Sequence, residues 1–260
     1  KKQPKPQSFF AAFLIGSDES SISFLNQKEK TAKELSVDFR LYKFPESIKQ
    51  DELRKEILKI VNHKTCGGVV VQLPLPGSLN VQYILNAIWR EKDIDVLSER
   101  ALGAFYADRN LVLPPAVGAL RKLLKEIKFD LSEKRVGIIG LGHLIGKPIA
   151  NWIMGKTKEI FLLDKGFDFG ILKNVDLVVC GTGQAELIKP EMLKDNIVVI
   201  DFGYGNINGK ISGDFDLSDL KIKGLKPKTI FYTPTPGGTG PVLVAQIFEN
   251  FYILDKASRI

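Results

Sequence analysis

The chain has 260 residues, a net charge of +7, 44% hydrophobic and 26% charged residues, which is an ordinary composition for a soluble globular protein. No run of about 18 apolar residues occurs, lysines are not gathered into a basic stripe with aromatics, and the two cysteines and two histidines form no ligand cluster. We therefore expect no membrane span, no nucleic-acid groove and no metal site, and we expect a protein of the reducing cytoplasm.

Short apolar runs alternate with amphipathic segments along the chain, which predicts an α/β fold with parallel strands joined by helical crossovers. Strands are predicted at residues 9–16, 37–44, 67–73, 135–142, 159–164, 175–181, 197–203 and 229–238. Helices are predicted at 20–35, 50–62, 81–89, within 114–127, and at 147–154 and 241–254. We expect two lobes, over residues 1–116 and 117–240, with a final helix within 241–260 that packs back on the first.

The second lobe carries a glycine-rich turn between a strand and a helix. In RVGIIGLGHLIGKP the glycines are Gly140, Gly142 and Gly146, at a spacing one residue longer than the common dinucleotide fingerprint. Glycines there let the backbone approach a pyrophosphate at a helix N-terminus. Asp164 ends the next strand and is expected to bind the adenosine ribose and repel a 2′-phosphate, the alternative being a solvated loop aspartate. The pattern predicts a Rossmann-type lobe that binds NAD or NADP.

Two further strands end in glycine, in VVCGTG and IDFGYG, and small residues such as Gly181 leave room for a nicotinamide and its ribose at the carboxyl edge of the sheet. Asp201, in the second of these segments, is interpreted as structural.

Four segments carry a resemblance to a known family: VQLPLPG, YTPTPGGTGP, KDID at 92–95, and GLGHLIGKP. Together they resemble the methylenetetrahydrofolate dehydrogenase/cyclohydrolase family, from about Phe9 to Asn250. The family oxidises methylenetetrahydrofolate to the methenyl cation with a nicotinamide cofactor, and many members then hydrolyse methenyl to formyltetrahydrofolate. The resemblance implies an N-terminal folate lobe, a C-terminal NAD(P) lobe, a cleft between them, and a homodimer formed through the dinucleotide-binding lobes.

The resemblance also implies roles for individual residues. Lys28 matches the lysine of the family motif G-x-x-x-x-S-x-x-Y-x-x-x-K, Gln72 would hydrogen-bond it, and Asp95 would hold the pterin ring; without the family, Lys28 would be interpreted as part of a solvated helix face. Further expected substrate contacts are Phe24, Leu73, Pro74, Pro236, Gly237 and Gly238. Expected cofactor contacts are Gly140, Leu141, Gly142, Gly146, Asp164, Lys165, Gly181, Tyr204 and Gly240.

The sequence departs from the family pattern at several positions. Phe24 replaces a tyrosine, Pro114 to Val117 replace Pro-Cys-Thr-Pro, and Val242 and Leu243 replace polar or flexible residues. Leu141 and Gly142 stand for Arg-Ser, and Asp164 and Lys165 for His-Ser, which favours NAD over NADP. Two alternatives stay open: a monofunctional NAD-dependent methylenetetrahydrofolate dehydrogenase, and a folate- or nucleotide-binding homologue that is non-catalytic or has a drifted substrate.

Overall fold

The computed structural model describes residues 6–217 and 230–259, and it divides into two compact units. Unit 1 comprises Lys1–Pro115 and Val244–Ile260, and unit 2 comprises Ala116–Leu243. Three parts of the chain named in the sequence analysis lie outside the described residues. They are the lysine-rich start of the chain, Thr229 of the last predicted strand, and Ile260 at the end of the segment 241–260. Within the described ranges, no helix has both the length and the apolar character needed to cross a membrane.

Unit 1 is built on a three-stranded parallel sheet in the order β2-β1-β3. The strands are β1 (Phe9–Ile15), β2 (Phe39–Phe44) and β3 (Cys66–Val71), and the helices are α1 (Glu19–Glu34), α2 (Gln50–Val61), α3 (Val81–Leu85) and α4 (Glu99–Tyr106). Every residue of β1 and β3 is buried, as expected for parallel strands covered on both faces. Most of α7 (Thr239–Ala257) also belongs to unit 1, where Asn250 Nδ2 donates to the carbonyls of Ile94 and Leu113 at 2.8 Å each.

Unit 2 contains a five-stranded parallel sheet in the order β10-β7-β6-β4-β5. The strands are β4 (Arg135–Ile139), β5 (Glu159–Leu163), β6 (Leu177–Cys180), β7 (Ile197–Asp201) and β10 (Ile230–Tyr232), and the helices are α5 (Pro115–Glu126) and α6 (Gly146–Ile153). A small antiparallel hairpin joins β8 (Gly205–Ile207) to β9 (Lys210–Ser212). The carboxyl ends of β4, β6 and β7 lie side by side, so the residues that follow these strands meet at one edge.

The predicted α/β class with parallel sheets is confirmed, whereas three local predictions need correction. The helix predicted at 81–89 ends at Leu85, because Asn86 caps it and the following turn places the Trp89 indole N–H 3.1 Å from Asn62 Oδ1. Helix α4 was not predicted, since its start depends on a cap in which Ser98 Oγ accepts from Ala101 N. The β8–β9 hairpin was not predicted either.

Candidate functional site

The lysine and glutamine singled out in the sequence are in direct contact in unit 1. Lys28 lies on α1 with only 6% of its surface exposed, and its Nζ donates a hydrogen bond to Gln72 Oε1 at 2.7 Å. Phe24 lies one helical turn earlier on the same face, partly buried. The interpretation of Lys28 as part of a solvated helix face is therefore wrong, and the hydrogen bond expected from the family resemblance is present.

Hydrogen bonds fix both the backbone and the side chain of Gln72. It follows β3 directly, and its backbone N–H still donates to Phe13 O at 2.9 Å, so the strand fixes where the side chain begins. Its Nε2 donates to Leu73 O at 2.8 Å, and that carbonyl also accepts from Ser21 Oγ at 3.4 Å. With Nε2 committed to a carbonyl, Oε1 is the atom turned toward the lysine, which fixes the amide orientation.

Burial and opposite charge act on Lys28 and Asp95 together. Burial lowers the pKa of Lys28 below that of a free lysine, and the carboxylate of Asp95 partly opposes this. Burial raises the pKa of Asp95 to about 6; the lysine pulls it down, and the neighbouring Asp93 pushes it up. Asp95 thus supplies a counter-charge for the buried lysine. The result is an acid and an amine whose pKa values are drawn toward neutrality, as proton transfer near pH 7 requires.

The loop that carries Asp95 is fixed by the fully buried carboxylate of Asp93. Asp93 Oδ2 accepts from the backbone N–H groups of Leu97 at 3.1 Å and Ser98 at 2.8 Å, and burial raises the pKa of this carboxyl. Val96, which lies between Asp95 and Leu97 and is fully buried, has φ = 57°. This conformation costs a β-branched residue on the order of 1–2 kcal/mol. The chain thus turns sharply right after Asp95, and Asp93 closes that turn.

Unit 2 contains a pocket of about 380 Å³ at the carboxyl edge of its sheet. It lies where β4, β5 and β6 end, the position at which open α/β sheets bind ligands. The lining residues are Ile139, Gly140, Leu141, Gly142, Asp164, Lys165, Gly166, Phe167, Phe169, Gly181, Thr182, Gln184 and Leu187. The structure therefore brings six of the predicted cofactor contacts into one pocket: Gly140, Leu141, Gly142, Asp164, Lys165 and Gly181.

The glycines of this pocket have different structural reasons. Gly140 has φ = 85°, and a Cβ there would lie 2.9 Å from Gly181 O. A Cβ on Gly146 would overlap Gly140 O, and one on Gly181 would lie 2.7 Å from Ile145 Cγ2. Gly142 is different, because a Cβ there would meet nothing within 4 Å. Its missing side chain leaves open space in the pocket wall, which fits the close approach of a pyrophosphate to the backbone.

Two buried carboxyls hold the turns near this pocket: Asp214 binds the loop after β6, and Asp201 binds the turn after β7. Asp214 Oδ2 accepts from Thr182 N, a pocket residue, at 2.6 Å, and Asp201 Oδ1 accepts from Gly203 N at 2.7 Å. The two turns fit into each other, since a Cβ on Gly203 would overlap the Asp214 carboxyl and one on Gly213 would overlap that of Asp201. Burial raises the pKa of both carboxyls, that of Asp214 to about 6. Asp201 was interpreted as structural, and its hydrogen bonds agree with that interpretation.

The remaining predicted residues lie outside these two clusters, except Leu73, whose carbonyl accepts from Gln72 Nε2. Gly146 begins α6 behind the pocket wall, and Tyr204 follows β7 without lining the pocket. Pro236, Gly237 and Gly238 form the turn before α7, in which Gly237 has φ = 96°, and Gly240 lies in the first turn of that helix. Leu73 and Pro74 follow Gln72 in unit 1. The structure gives none of these residues a role of its own in ligand binding.

Sequence reasoning missed Asp93, Thr182, Phe167, Phe169 and Asp214. Asp93 had a readable signal, since KDID contains two acidic residues spaced two apart after a basic one. The aromatic pair Phe167 and Phe169, whose ring centroids lie 4.5 Å apart, follows Asp164 within five residues and marks the same loop. Thr182 and Asp214 are 32 residues apart, and only the fold shows that they touch.

Comparison with known proteins places both units in one family. A family model described as the tetrahydrofolate dehydrogenase/cyclohydrolase catalytic domain matches residues 1–95, and one described as the NAD(P)-binding domain of the same family matches residues 114–259. A bifunctional protein FolD of Helicobacter pylori is 34% identical over 99% of this chain and 87% of its own length.

Solved structures agree with this assignment. The bifunctional enzyme FolD of Campylobacter jejuni has a TM-score of 0.89 and 28% identity over 98% of this chain and 90% of its own. The FolD enzyme of Trypanosoma brucei, solved with NADP cofactor and an inhibitor, has a TM-score of 0.89 and 25% identity over 97% of this chain and 88% of its own. The resemblance seen in the sequence is confirmed, and the chain belongs to the tetrahydrofolate dehydrogenase/cyclohydrolase family.

Proposed function

We propose that this protein oxidises methylenetetrahydrofolate to methenyltetrahydrofolate with a nicotinamide cofactor and then hydrolyses the methenyl compound to formyltetrahydrofolate, in one-carbon metabolism. The observation that carries the proposal is the buried Lys28 Nζ, 2.7 Å from Gln72 Oε1 and electrostatically coupled to Asp95. The family membership of both units supports the same reaction pair.

Lys28 is the proposed proton carrier of the hydrolytic step. Burial lowers the pKa of the amine, so it gives up its proton more readily than a free lysine does, which suits the proton transfers in hydration and ring opening of a methenyl bridge. Gln72 accepts one N–H of the lysine and thereby fixes the direction of the Nζ atom. Phe24, which replaces the family tyrosine, keeps an aromatic ring one turn away but contributes no hydroxyl. The Lys28–Gln72 pair therefore supports retention of the hydrolytic activity.

Asp95 is the proposed anchor of the pterin ring. A carboxylate accepts hydrogen bonds from the adjacent amino and ring N–H groups of a pterin, which fixes the orientation of the substrate. The Asp93 contacts to Leu97 and Ser98 hold the turn that presents it. Leu73, Pro74, Pro236, Gly237 and Gly238 complete the proposed substrate contacts.

The pocket of unit 2 is the proposed cofactor site, and its residues fit a dinucleotide. The bound nicotinamide supplies the hydride acceptor for the oxidation. Gly142 leaves room beside the backbone that a pyrophosphate would use, and Asp164, which lines the pocket directly after β5, would bind the adenosine ribose. A carboxylate there disfavours a 2′-phosphate, so we propose NAD as the preferred cofactor over NADP, with Lys165 as the only neighbouring cation that lines the described pocket. The T. brucei relative was solved with NADP, so the proposed preference for NAD depends on Asp164 and not on that comparison.

Self-association through unit 2 and a cytoplasmic location belong to the same proposal. In the described part of unit 2, β5 and β10 are the edge strands of the sheet. Leu162 on β5 is 53% exposed, and Phe231 on β10 is 57% exposed. Apolar side chains on exposed edge strands favour pairing with a second copy. Both cysteines are free, which suits a reducing compartment. Light scattering after gel filtration would show a dimer of 260-residue chains, and a monomer at all concentrations would reject the pairing.

A spectrophotometric assay tests the proposed reactions directly. Methylenetetrahydrofolate is supplied with NAD or NADP, and acid quenching separates the signal of the methenyl product from that of the reduced cofactor. NAD-linked formation of methenyltetrahydrofolate, followed by its loss to the formyl compound, is the expected result. Folate binding without turnover with either cofactor would favour a non-catalytic homologue, and oxidation without hydrolysis would favour a monofunctional dehydrogenase.

A further inference from the structure

A second pocket lies in unit 1 and contains none of the proposed folate or cofactor residues. Its volume is about 650 Å³, larger than that of the pocket in unit 2. It is lined by Trp89, Arg90, Glu91, Arg100, Gly103, Ala104, Ala107 and Arg109. We call it the arginine pocket, and its size falls in the range of sites for small organic ligands.

The walls of the arginine pocket are cationic. Arg90 is paired with Glu91, with its Nε 3.3 Å from a carboxylate oxygen. Arg100 and Arg109, by contrast, have no carboxylate partner among the residues that the structure describes. Glu91 lines the same pocket but pairs with Arg90, so the other two guanidinium groups are suited to a phosphate or a pair of carboxylates, which a guanidinium binds through two parallel hydrogen bonds.

The indole of Trp89 supplies a flat apolar face beside these cations. It is 45% exposed, and yet its position is fixed, because its N–H donates to Asn62 Oδ1 at 3.1 Å. The Arg100 guanidinium carbon lies 5.9 Å from the ring centroid. An exposed tryptophan ring that the protein holds in place is prepared for stacking on another aromatic ring.

The floor of the arginine pocket contains a glycine that the fold itself does not need. Gly103 lies in the middle of α4, where glycine costs about 1 kcal/mol of helix stability relative to alanine. Its φ is not positive, and a Cβ there would meet nothing within 4 Å, so neither backbone geometry nor packing requires it. The open space beside this glycine lets a ligand approach the helix backbone closely.

We propose that the arginine pocket binds a nucleoside phosphate, separately from the cofactor pocket of unit 2. The base stacks on Trp89, the phosphates bind Arg100 and Arg109, and the sugar lies against Gly103. Glu91 offers an acceptor for a sugar hydroxyl or a base amino group, which a simple polyanion would not use. The net charge of +7 favours the approach of such an anion.

Tryptophan fluorescence with ADP as the probe tests this proposal. The chain has two tryptophans, and a Trp152→Phe background leaves Trp89 as the single reporter, so binding of ADP in unit 2 does not contribute directly to the signal. We expect saturable quenching by ADP and an affinity at least about tenfold lower in Arg100→Gln/Arg109→Gln. We expect no change in Arg121→Gln, which removes one arginine charge from an exposed position outside the pocket. Gly103→Ala is expected to raise the melting temperature of the protein and to lower its affinity for ADP.

Calorimetry covers the case in which binding leaves the fluorescence unchanged. The chain with native arginines is expected to bind two ADP molecules, and the double arginine variant is expected to bind one. A single ADP site in both proteins, or quenching that is equal in the double variant and in Arg121→Gln, would overturn the proposal. Quenching by inorganic pyrophosphate as strong as that by ADP would also overturn it, since that result would show an anion site without base recognition.

Discussion

The Asp95 carboxyl is predicted to make unit 1 less stable as the pH rises, and Asp95→Asn to remove that dependence. Burial raises its pKa from 3.8 to about 6, so the folded protein holds this proton more tightly than the unfolded chain does. The carboxyl therefore favours folding below pH 4, and this contribution is lost progressively as the pH rises through about 6. At 1.4 kcal/mol per pKa unit the full effect is about 3 kcal/mol. The asparagine variant should avoid this loss.

Lys28 reduces the gain expected from Asp95→Asn above pH 6. The variant removes the carboxylate that opposes the lowered pKa of the lysine, so part of the stabilisation is lost again, and a net gain of about 1–3 kcal/mol remains at pH 8. Urea unfolding of both proteins at pH 5 and pH 8 measures it. Asp201 and Asp214 belong to unit 2, titrate equally in the two proteins and cancel in the difference. Asp93 is coupled to Asp95, and its response is part of the measured difference. The exposed Asp108→Asn controls for the loss of one negative charge. Stability curves that run parallel between pH 5 and pH 8 would contradict the proposed effect of the Asp95 carboxyl.

Three further predictions concern the cofactor pocket. Gly142→Ala should leave the melting temperature unchanged and raise the KM for the cofactor at least about tenfold. Gly146→Ala should lower the melting temperature, because its Cβ would overlap backbone atoms whereas that of Gly142→Ala would not. Equal melting temperatures of the two variants would contradict this. Asp164→Ser should reduce the preference for NAD in parallel NAD and NADP kinetics, and an unchanged ratio would remove the proposed ribose contact. Protonation of Asp214 weakens the hydrogen bond that its carboxylate accepts from Thr182 N–H, so the cofactor KM of the native protein should rise below about pH 6. The KM of Asp214→Asn should change little with pH. Equal pH profiles of the two proteins would contradict this.

The parts of this protein that could be predicted from sequence are those encoded by local pattern. Unbroken apolar runs such as those of β1 and β3 identify buried parallel strands, and a glycine turn after a strand identifies the dinucleotide edge. The Lys28–Gln72 pair, 44 residues apart, was predictable only through the resemblance to a family, because periodicity alone places Lys28 on a solvated face.

The features that escaped prediction depend on contacts between distant segments or on single capping bonds. Helix α4 begins at the Ser98 cap and has a glycine in its interior, so its pattern is weak, and the arginine pocket above it was missed with it. The mutual fit of Asp201 and Asp214 with two glycines requires that β7 and the turn after β9 be brought together. Neither arrangement has a periodic signature in the sequence.

The central claim is that Lys28 carries the proton in the hydrolysis of methenyltetrahydrofolate. The measurement that tests it most directly is the rate of methenyl hydrolysis in the native protein and in Lys28→Met, with NAD binding followed in the same samples. We expect a fall of at least about 100-fold in the hydrolysis rate with unchanged NAD affinity, because a methionine fills the space of the lysine but transfers no proton. An unchanged hydrolysis rate in Lys28→Met would contradict it.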